Sequence, residues 1–390
     1  MRRVQLGPDD KRILAGEEGE TLQKMLELLV ALGKVFGAEQ LVPIRSAQVS
    51  GASYKTIGEY GLLWLASLDA RAVVPAVLNP IGMPRSRWKE MGVDADFARK
   101  QQSVVEAYER LGVRLDCTCT PYYLHRTRFG DHLAWSESSA VSYANSVIGA
   151  RTNREGGPGA LAAALIGKTP CYGLHLTKNR IPQIVIDVLT GSQNWGIAEY
   201  GALGYHVGRL AGNRIPYFTG IRPDADQLKA LGAAMAATGA VALYHVERVT
   251  PEAKARVYDL SGLETVAVEP AEIVRLFTEL PVDAVAIGCP HCSPRELGEI
   301  ARLLDGKEVT KPLYIFAAQG VIDRHQDLVT AIERSGARVY ADTCMVVSPV
   351  MERYRAIMVN SGKALVYVPD MCGAVTRIGT LKDCMAVATG

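Results

Sequence analysis

A chain of 390 residues that is 48% hydrophobic and 22% charged has the make-up of a globular protein with room for two or three packed units. Its net charge of +2 excludes an electrostatic bias toward nucleic acid or anionic membrane, and no apolar run is long enough to span a bilayer. The first twenty residues turn acidic before any apolar stretch, unlike a signal peptide, so the eight cysteines are expected in a reducing cytosol, as metal ligands or buried thiols rather than disulfides.

Residues 8–37 predict one helix, acidic at its start, with apolar residues at three- and four-residue steps and a stop at Gly37. LVPIRSAQVSG reads as a strand, GEYGLLWLASL as a helix, AVVPAVLNP as a strand, FARKQQSVVEAYERLG as a helix and VRLDCTCTP as a strand. This alternation predicts parallel pairing in an α/β layer. Residues 135–167 then place Glu137, Ser138, Ser139, Asn145, Arg151, Asn153 and Arg154 between two helical segments, ahead of a Gly-Gly-Pro turn and an alanine-rich helix. Polar side chains at a helix entrance, backed by free N–H groups, suit an anionic ligand. Arginine adds a flat fork that matches a carboxylate or phosphate.

A second set follows, with TPCYGLHL, PQIVIDVLTG and RIPYFTG as strands and IAEYGALGYHVGRLAG as a helix. From Asp224 onward the alternation is regular. DQLKALGAAMAATG, PAEIVRLFTEL, PRELGEIARLL and DLVTAIERSG read as helices, interleaved with AVALYHVERV, VDAVAIGCP, KPLYIFAA and RVYADTCMVV as strands. The last three strands are nearly all apolar, as strands covered on both faces are. With no long linker, the expected division is residues 1–130, 131–222 and 223–390 packed around a shared cleft.

In an open parallel sheet, ligands bind beyond the carboxyl ends of the strands. Cys119, Cys289 and Cys344 each stand at such an end, with a proline following. Three thiolates meeting at one rim can hold an iron–sulfur cluster and leave one iron open as a Lewis acid. Buried core thiols are the competing reading, and Cys117, two residues before Cys119, is a competing ligand. Cys289-Pro-His-Cys292 also has the spacing of a redox pair or half a zinc site, and residue types alone leave the choice open.

The combination of ESSAVSYANSVIGARTNREG, CTP after a strand, GCPH, ADTCMVVSP and NSGKALVYVP resembles the large subunit of the aconitase X family over most of the chain. The resemblance implies an aconitase-like α/β fold: three α/β domains with mainly parallel sheets around a central cleft, lacking the fourth (swivel) domain. It implies dehydration of a hydroxy acid at an iron–sulfur cluster, a 4Fe–4S centre with one iron not held by protein. Cys119, Cys289 and Cys344 match the family's cysteine positions and become the expected ligands, while Cys292 falls where the family does not reliably carry cysteine. Glu137, Ser138 and Lys55 become the expected catalytic residues. Ser50, Gly51, Tyr54, Asn79, Ser139, Asn153, Arg154 and Lys363 become the expected substrate contacts, Lys363 on a turn before a strand ALVYVP.

The chain itself is expected in the cytoplasm, and the resemblance further implies a partner, a small subunit carrying the swivel domain and a serine that acts as base. Two substrates go with the family, a phosphorylated mevalonate and cis-3-hydroxy-L-proline. The short chain, rich in Ala, Arg, Val and Gly, looks more like the branch that acts on the first.

Overall fold

The structure, a computed structural model describing residues 4–189 and 194–390, is α/β, with four sheets among the described residues. Three of them are parallel throughout. The first centres on Ala47–Val49, between Ala76–Leu78 and Ala134–Trp135. The second runs in the order His245–Val246, Pro216–Thr219, Ile184–Val188, Thr265–Val268. The third runs Arg338–Tyr340, Leu313–Ala317, Ala284–Cys292, Ala356–Val359, Val375–Ile378. A small antiparallel pair, Leu41–Pro43 with Lys168–Pro170, completes the set. The central Ala284–Cys292 strand is buried at every position, as expected for a strand covered on both faces. The predicted strand over residues 182–191 is seen as Ile184–Val188, and its last two residues lie outside the described residues.

Four local expectations are corrected. The single helix over residues 8–37 is two, Pro8–Leu14 and Glu20–Phe36, because Gly16 and Gly19 sit at φ 82° and 96°, outside the helical region. Gln23 Nε2 donates to the freed Leu14 carbonyl at 3.1 Å. LVPIRSAQVSG is split between two sheets rather than forming one strand. VRLDCTCTP forms no strand: it is tied to its neighbour by the bridge Val77↔Arg114 and by Thr118 N–H donating to Leu78 O at 3.0 Å, so its cysteines ride on a loop. ALVYVP is the start of a helix, Ala364–Cys372, not a strand. Its buried positions Ala364, Val368 and Cys372 recur every fourth residue, a helical stripe that the β-branched composition disguised.

These elements bring one set of ends together. Ser50, Asn79 and Glu137 follow the three strands of the first sheet, and Cys344 and Lys363 follow two strands of the third. The two rims are tied by a parallel bridge, Ile81↔Thr343, in which Ile81 N–H donates to Asp342 O at 2.8 Å and Cys344 N–H to Ile81 O at 3.0 Å. Cys289 lies within the last stretch of its strand, where the register to the neighbouring strand shifts between Ile287 and Cys292. Gly288 makes that irregularity possible, since its φ is 109° and a Cβ there would collide with the Phe316 carbonyl.

Candidate active site

At the junction of the two rims lies a cavity of about 190 Å³, lined by Asn79, Ser136, Glu137, Ser138, Arg154, Cys344, Lys363, Tyr367 and Met371 among others. Larger hollows exist: one of about 320 Å³ between Gly196, Arg295 and Thr380 holds no predicted site residue, and one of about 460 Å³ is lined by Asn153 and Arg154 beside Leu174 and Asn179. The chemistry converges on the smaller cavity.

Its centre is a buried ion pair. Lys363 Nζ contacts Glu137 Oε1 and reaches Ser139 Oγ at 3.3 Å, and Asn79 Nδ2 donates to the other Glu137 oxygen at 3.0 Å. Ser139 adds its hydroxyl at 3.0 Å and its backbone N–H at 3.3 Å, since Glu137 is the N-cap of the Ser138–Tyr143 helix. Burial alone would raise the Glu137 carboxyl. The Lys363 charge and these donors outweigh it and hold the group down at about 2. Burial works on Lys363 the other way, and Glu137 with the nearby thiols more than offsets it, so the ammonium is held above its ordinary value. Asn79 Oδ1 is buried and, among the described residues, has no hydrogen-bond partner, which leaves it an acceptor for a bound group.

Cys119, Cys289 and Cys344 share this field. Burial raises each thiol, Cys119 to about 12, while Lys363 acts on all three in the opposite sense. Cys344 lines the cavity and is only partly buried, whereas Cys119 and Cys289 lie deeper, at 7% and 6% exposure. Cys117 has different surroundings. Burial and Asp342 raise its thiol while Arg85, itself bonded to Asp342 at 3.0 Å, lowers it. Cys292 is wholly buried in the apolar packing around Ile287, Leu297 and Ile315. Among the described residues, no three His, Cys, Asp or Glu side chains come close enough to share a single metal ion.

Other predicted residues stand at different removes. Ser138 lines the cavity, 3.4 Å from Glu137. Arg154 is exposed there and donates at 3.3 Å to the Ala236 carbonyl, with no carboxylate partner among the described residues. Lys55 is tied to Glu352 and to the Met371 carbonyl, each at 2.6 Å, at the cavity's edge. Ser50 N–H donates to Ser136 Oγ at 2.7 Å, and Gly51, at φ 81°, offers its carbonyl to Tyr108 Oη. Tyr54 Oη points to Glu59 at 3.1 Å, on an exposed flank. Asn153 is brought elsewhere: its amide pins the turn at Leu174 and Tyr172, so its polar atoms serve backbone.

Sequence reading did not single out Thr118, Thr343 and Ser361, although all three touch the cysteine loops. Ser361 Oγ donates to the Cys289 carbonyl. Thr118 and Thr343 immediately precede Cys119 and Cys344, and the repeated Thr-Cys pair was the available signal.

The chain matches the family descriptions Aconitase X first domain over residues 3–178, Aconitase X second domain over 182–278 and Aconitase X third domain over 282–390. It is 50% identical over 390 residues to the phosphomevalonate dehydratase large subunit of Methanosarcina mazei, covering 99% of this chain and 97% of that one. It is 32% identical to the cis-3-hydroxy-L-proline dehydratase of Hypocrea jecorina, covering 99% of this chain but 68% of that one. The crystal structure of Thermococcus kodakaraensis aconitase X in its holo-form superposes with a TM-score of 0.91 at 44% identity, over 99% of this chain and all of that one. With three successive domains matched across nearly its whole length, the chain belongs to the aconitase X family.

Proposed function

We propose that this chain is the large subunit of a two-subunit hydro-lyase that removes water from (R)-5-phosphomevalonate to give trans-anhydromevalonate 5-phosphate. The observation that carries the reading is end-to-end similarity to large subunits bearing that activity in their names, at 50% identity for Methanosarcina mazei and 44% for Methanocaldococcus jannaschii. The hydroxyproline enzymes are more distant, at 32–33% identity, and this chain spans only about two thirds of their length.

The donor set fits an iron–sulfur cluster. Cys119, Cys289 and Cys344 supply thiols from three loops within one electrostatic neighbourhood. Each thiolate of a cluster takes its own iron, so the three need not crowd around one ion. Bound there, such a group supplies a Lewis-acidic iron that lets a hydroxyl leave as hydroxide. The protein's residues do the rest. Lys363 and Glu137 hold a fixed dipole beside the thiols, and Asn79 Oδ1 offers an acceptor to a substrate hydroxyl. Arg154 meets an anionic group of the substrate at the cavity mouth. Neither Glu137, held ionised, nor Lys363, held protonated, is tuned to take a proton near neutral pH. That supports a base on a partner subunit, in line with the large-subunit names of the relatives.

The test is anaerobic co-purification with the small subunit, followed by assays on phosphomevalonate and on cis-3-hydroxy-L-proline. Water loss from the phosphorylated substrate is the expected result, and turnover of the proline alone overturns the reading. In that assay Arg154→Gln is expected to raise KM by about 10- to 100-fold, the loss of a charge-assisted hydrogen bond, with little change in kcat. An unchanged KM would remove Arg154 from the substrate's path.

A further inference from the structure

The geometry points to His291 as the residue that sets the spacing of the three ligand thiols, through hydrogen bonds reaching the loops of all three. The inference rests on the cluster-ligand reading given above and goes beyond it. His291 lies two residues after Cys289, fully buried. Its backbone N–H donates to Cys119 Sγ at 3.2 Å. Its ring Nδ1 is 3.1 Å from Thr118 Oγ1, and Nε2 is 2.8 Å from the Thr343 carbonyl oxygen. Thr118 and Thr343 are the residues directly before Cys119 and Cys344. One imidazole therefore braces the chain immediately ahead of two thiols while its own backbone runs on from the third.

The chemistry of the partners fixes the tautomer. The Thr343 carbonyl can only accept, so Nε2 carries the hydrogen. In a neutral ring Nδ1 then accepts, and Thr118 Oγ1 must donate to it. Thr118 Oγ1 in turn accepts from the Thr120 N–H at 3.0 Å and lies 3.1 Å from Thr120 Oγ1. Every bond runs in one direction, from Thr120 through Thr118 and His291 to Thr343. A rigid aromatic ring with both nitrogens committed transmits a fixed distance between two loops that come from different sheets. Groups that orient metal ligands in this way change affinity for the bound group by about 10- to 100-fold when removed.

The experiment uses the chain co-purified anaerobically with its small subunit. It compares iron content per chain and the rate at which visible absorbance bleaches in air. His291→Leu keeps the ring's approximate volume and removes both ring bonds. It is expected to bleach about tenfold faster than wild type in the folded fraction, alongside the lower unfolding temperature that leaving the Thr343 carbonyl and Thr118 hydroxyl without their ring partners brings. His291→Gln can still offer an N–H toward Thr343 and should recover part of the loss. A purely structural role would move the unfolding transition and leave bleaching of the folded fraction unchanged. Wild-type bleaching and iron content in folded His291→Leu would overturn the inference. If His291→Leu does not fold, Thr118→Val removes the hydroxyl donor with little change in shape. A several-fold acceleration is expected there, and wild-type behaviour would overturn the inference equally. Serine variants of the three cysteines separate the two levels: if they keep the absorbance, the ligand reading has failed. If they lose it while the His291 variants behave as wild type, only the brace has failed.

Discussion

Lys363→Met is expected to lower stability by about 3–5 kcal/mol near neutral pH and to reduce kcat/KM by at least about a thousandfold, because it strands a buried carboxylate. Lys363 is 7% exposed, and its ammonium is the main favourable charge on Glu137. In the wild type, Glu137 titrates at about 2 rather than 4.5. Its contribution to stability is therefore present above 4.5 and fades as pH falls toward 2. Without the lysine, burial dominates and pushes the carboxyl above 4.5, so the variant instead loses stability as pH rises through that region. The destabilisation should be smallest near about pH 2, where the wild-type pair is itself lost, already large at about pH 4.5 and largest above about pH 7. Urea unfolding curves of both proteins across this range check the sign. The double variant Lys363→Met/Glu137→Gln removes the stranded charge and should regain much of the stability, although not the activity. If Lys363→Met unfolds with the wild-type pH dependence, the ion pair does not govern the cavity's electrostatics.

Much of the fold was legible because long periodic segments declare themselves. Three of the strands expected after Asp224 are seen as Ala284–Cys292, Leu313–Ala317 and Arg338–Tyr340 of the five-stranded parallel sheet, while residues 240–249 yield only His245–Val246 at the edge of the four-stranded one, and the apolar run ahead of Cys289 is the buried central strand. What escaped was local. Two left-handed glycines cut the first helix, and the helix after Lys363 was hidden by its valines, so Lys363 read as a turn residue when it is the N-cap of Ala364–Cys372. The polar block after Trp135 was visible as a site, but its division of labour was not. Glu137 and Ser139 turn inward to Lys363, whereas Asn153, sixteen positions beyond Glu137, spends its amide on the backbone of a neighbouring turn. Side-chain direction at a helix entrance depends on where the partner loops arrive, and Lys363 arrives from the far end of the chain. The same reason hides Arg154's lack of a carboxylate and Lys55's capture by Glu352.

Cys119→Ser, Cys289→Ser and Cys344→Ser are each expected to abolish the cluster's visible absorbance and lower turnover by at least about a thousandfold, while Cys117→Ser and Cys292→Ser leave both in place. The contrast follows from surroundings rather than from spacing. Cys117 and Cys119 are two residues apart, but only Cys119 has Lys363 and Glu137 among the charges that act on its thiol. Cys117 answers to Asp342 and Arg85, and Cys292, packed against aliphatic side chains, answers to Glu296 and Lys229 rather than to Lys363 and Glu137. Serine at either of those positions buries a hydroxyl in place of a thiol, at a cost of about 1–3 kcal/mol in stability, without touching the rim. At Cys119, Cys289 or Cys344 the same exchange replaces a soft thiolate by a hydroxyl that iron binds poorly and that does not ionise near neutral pH. Iron analysis and the visible spectrum of the anaerobic two-subunit protein read the outcome directly. Loss of absorbance in Cys117→Ser with retention in Cys119→Ser would transfer the ligand role to the wrong side of that loop. The Lys363–Glu137 pair would then face no metal group, and the cavity would need a different chemistry.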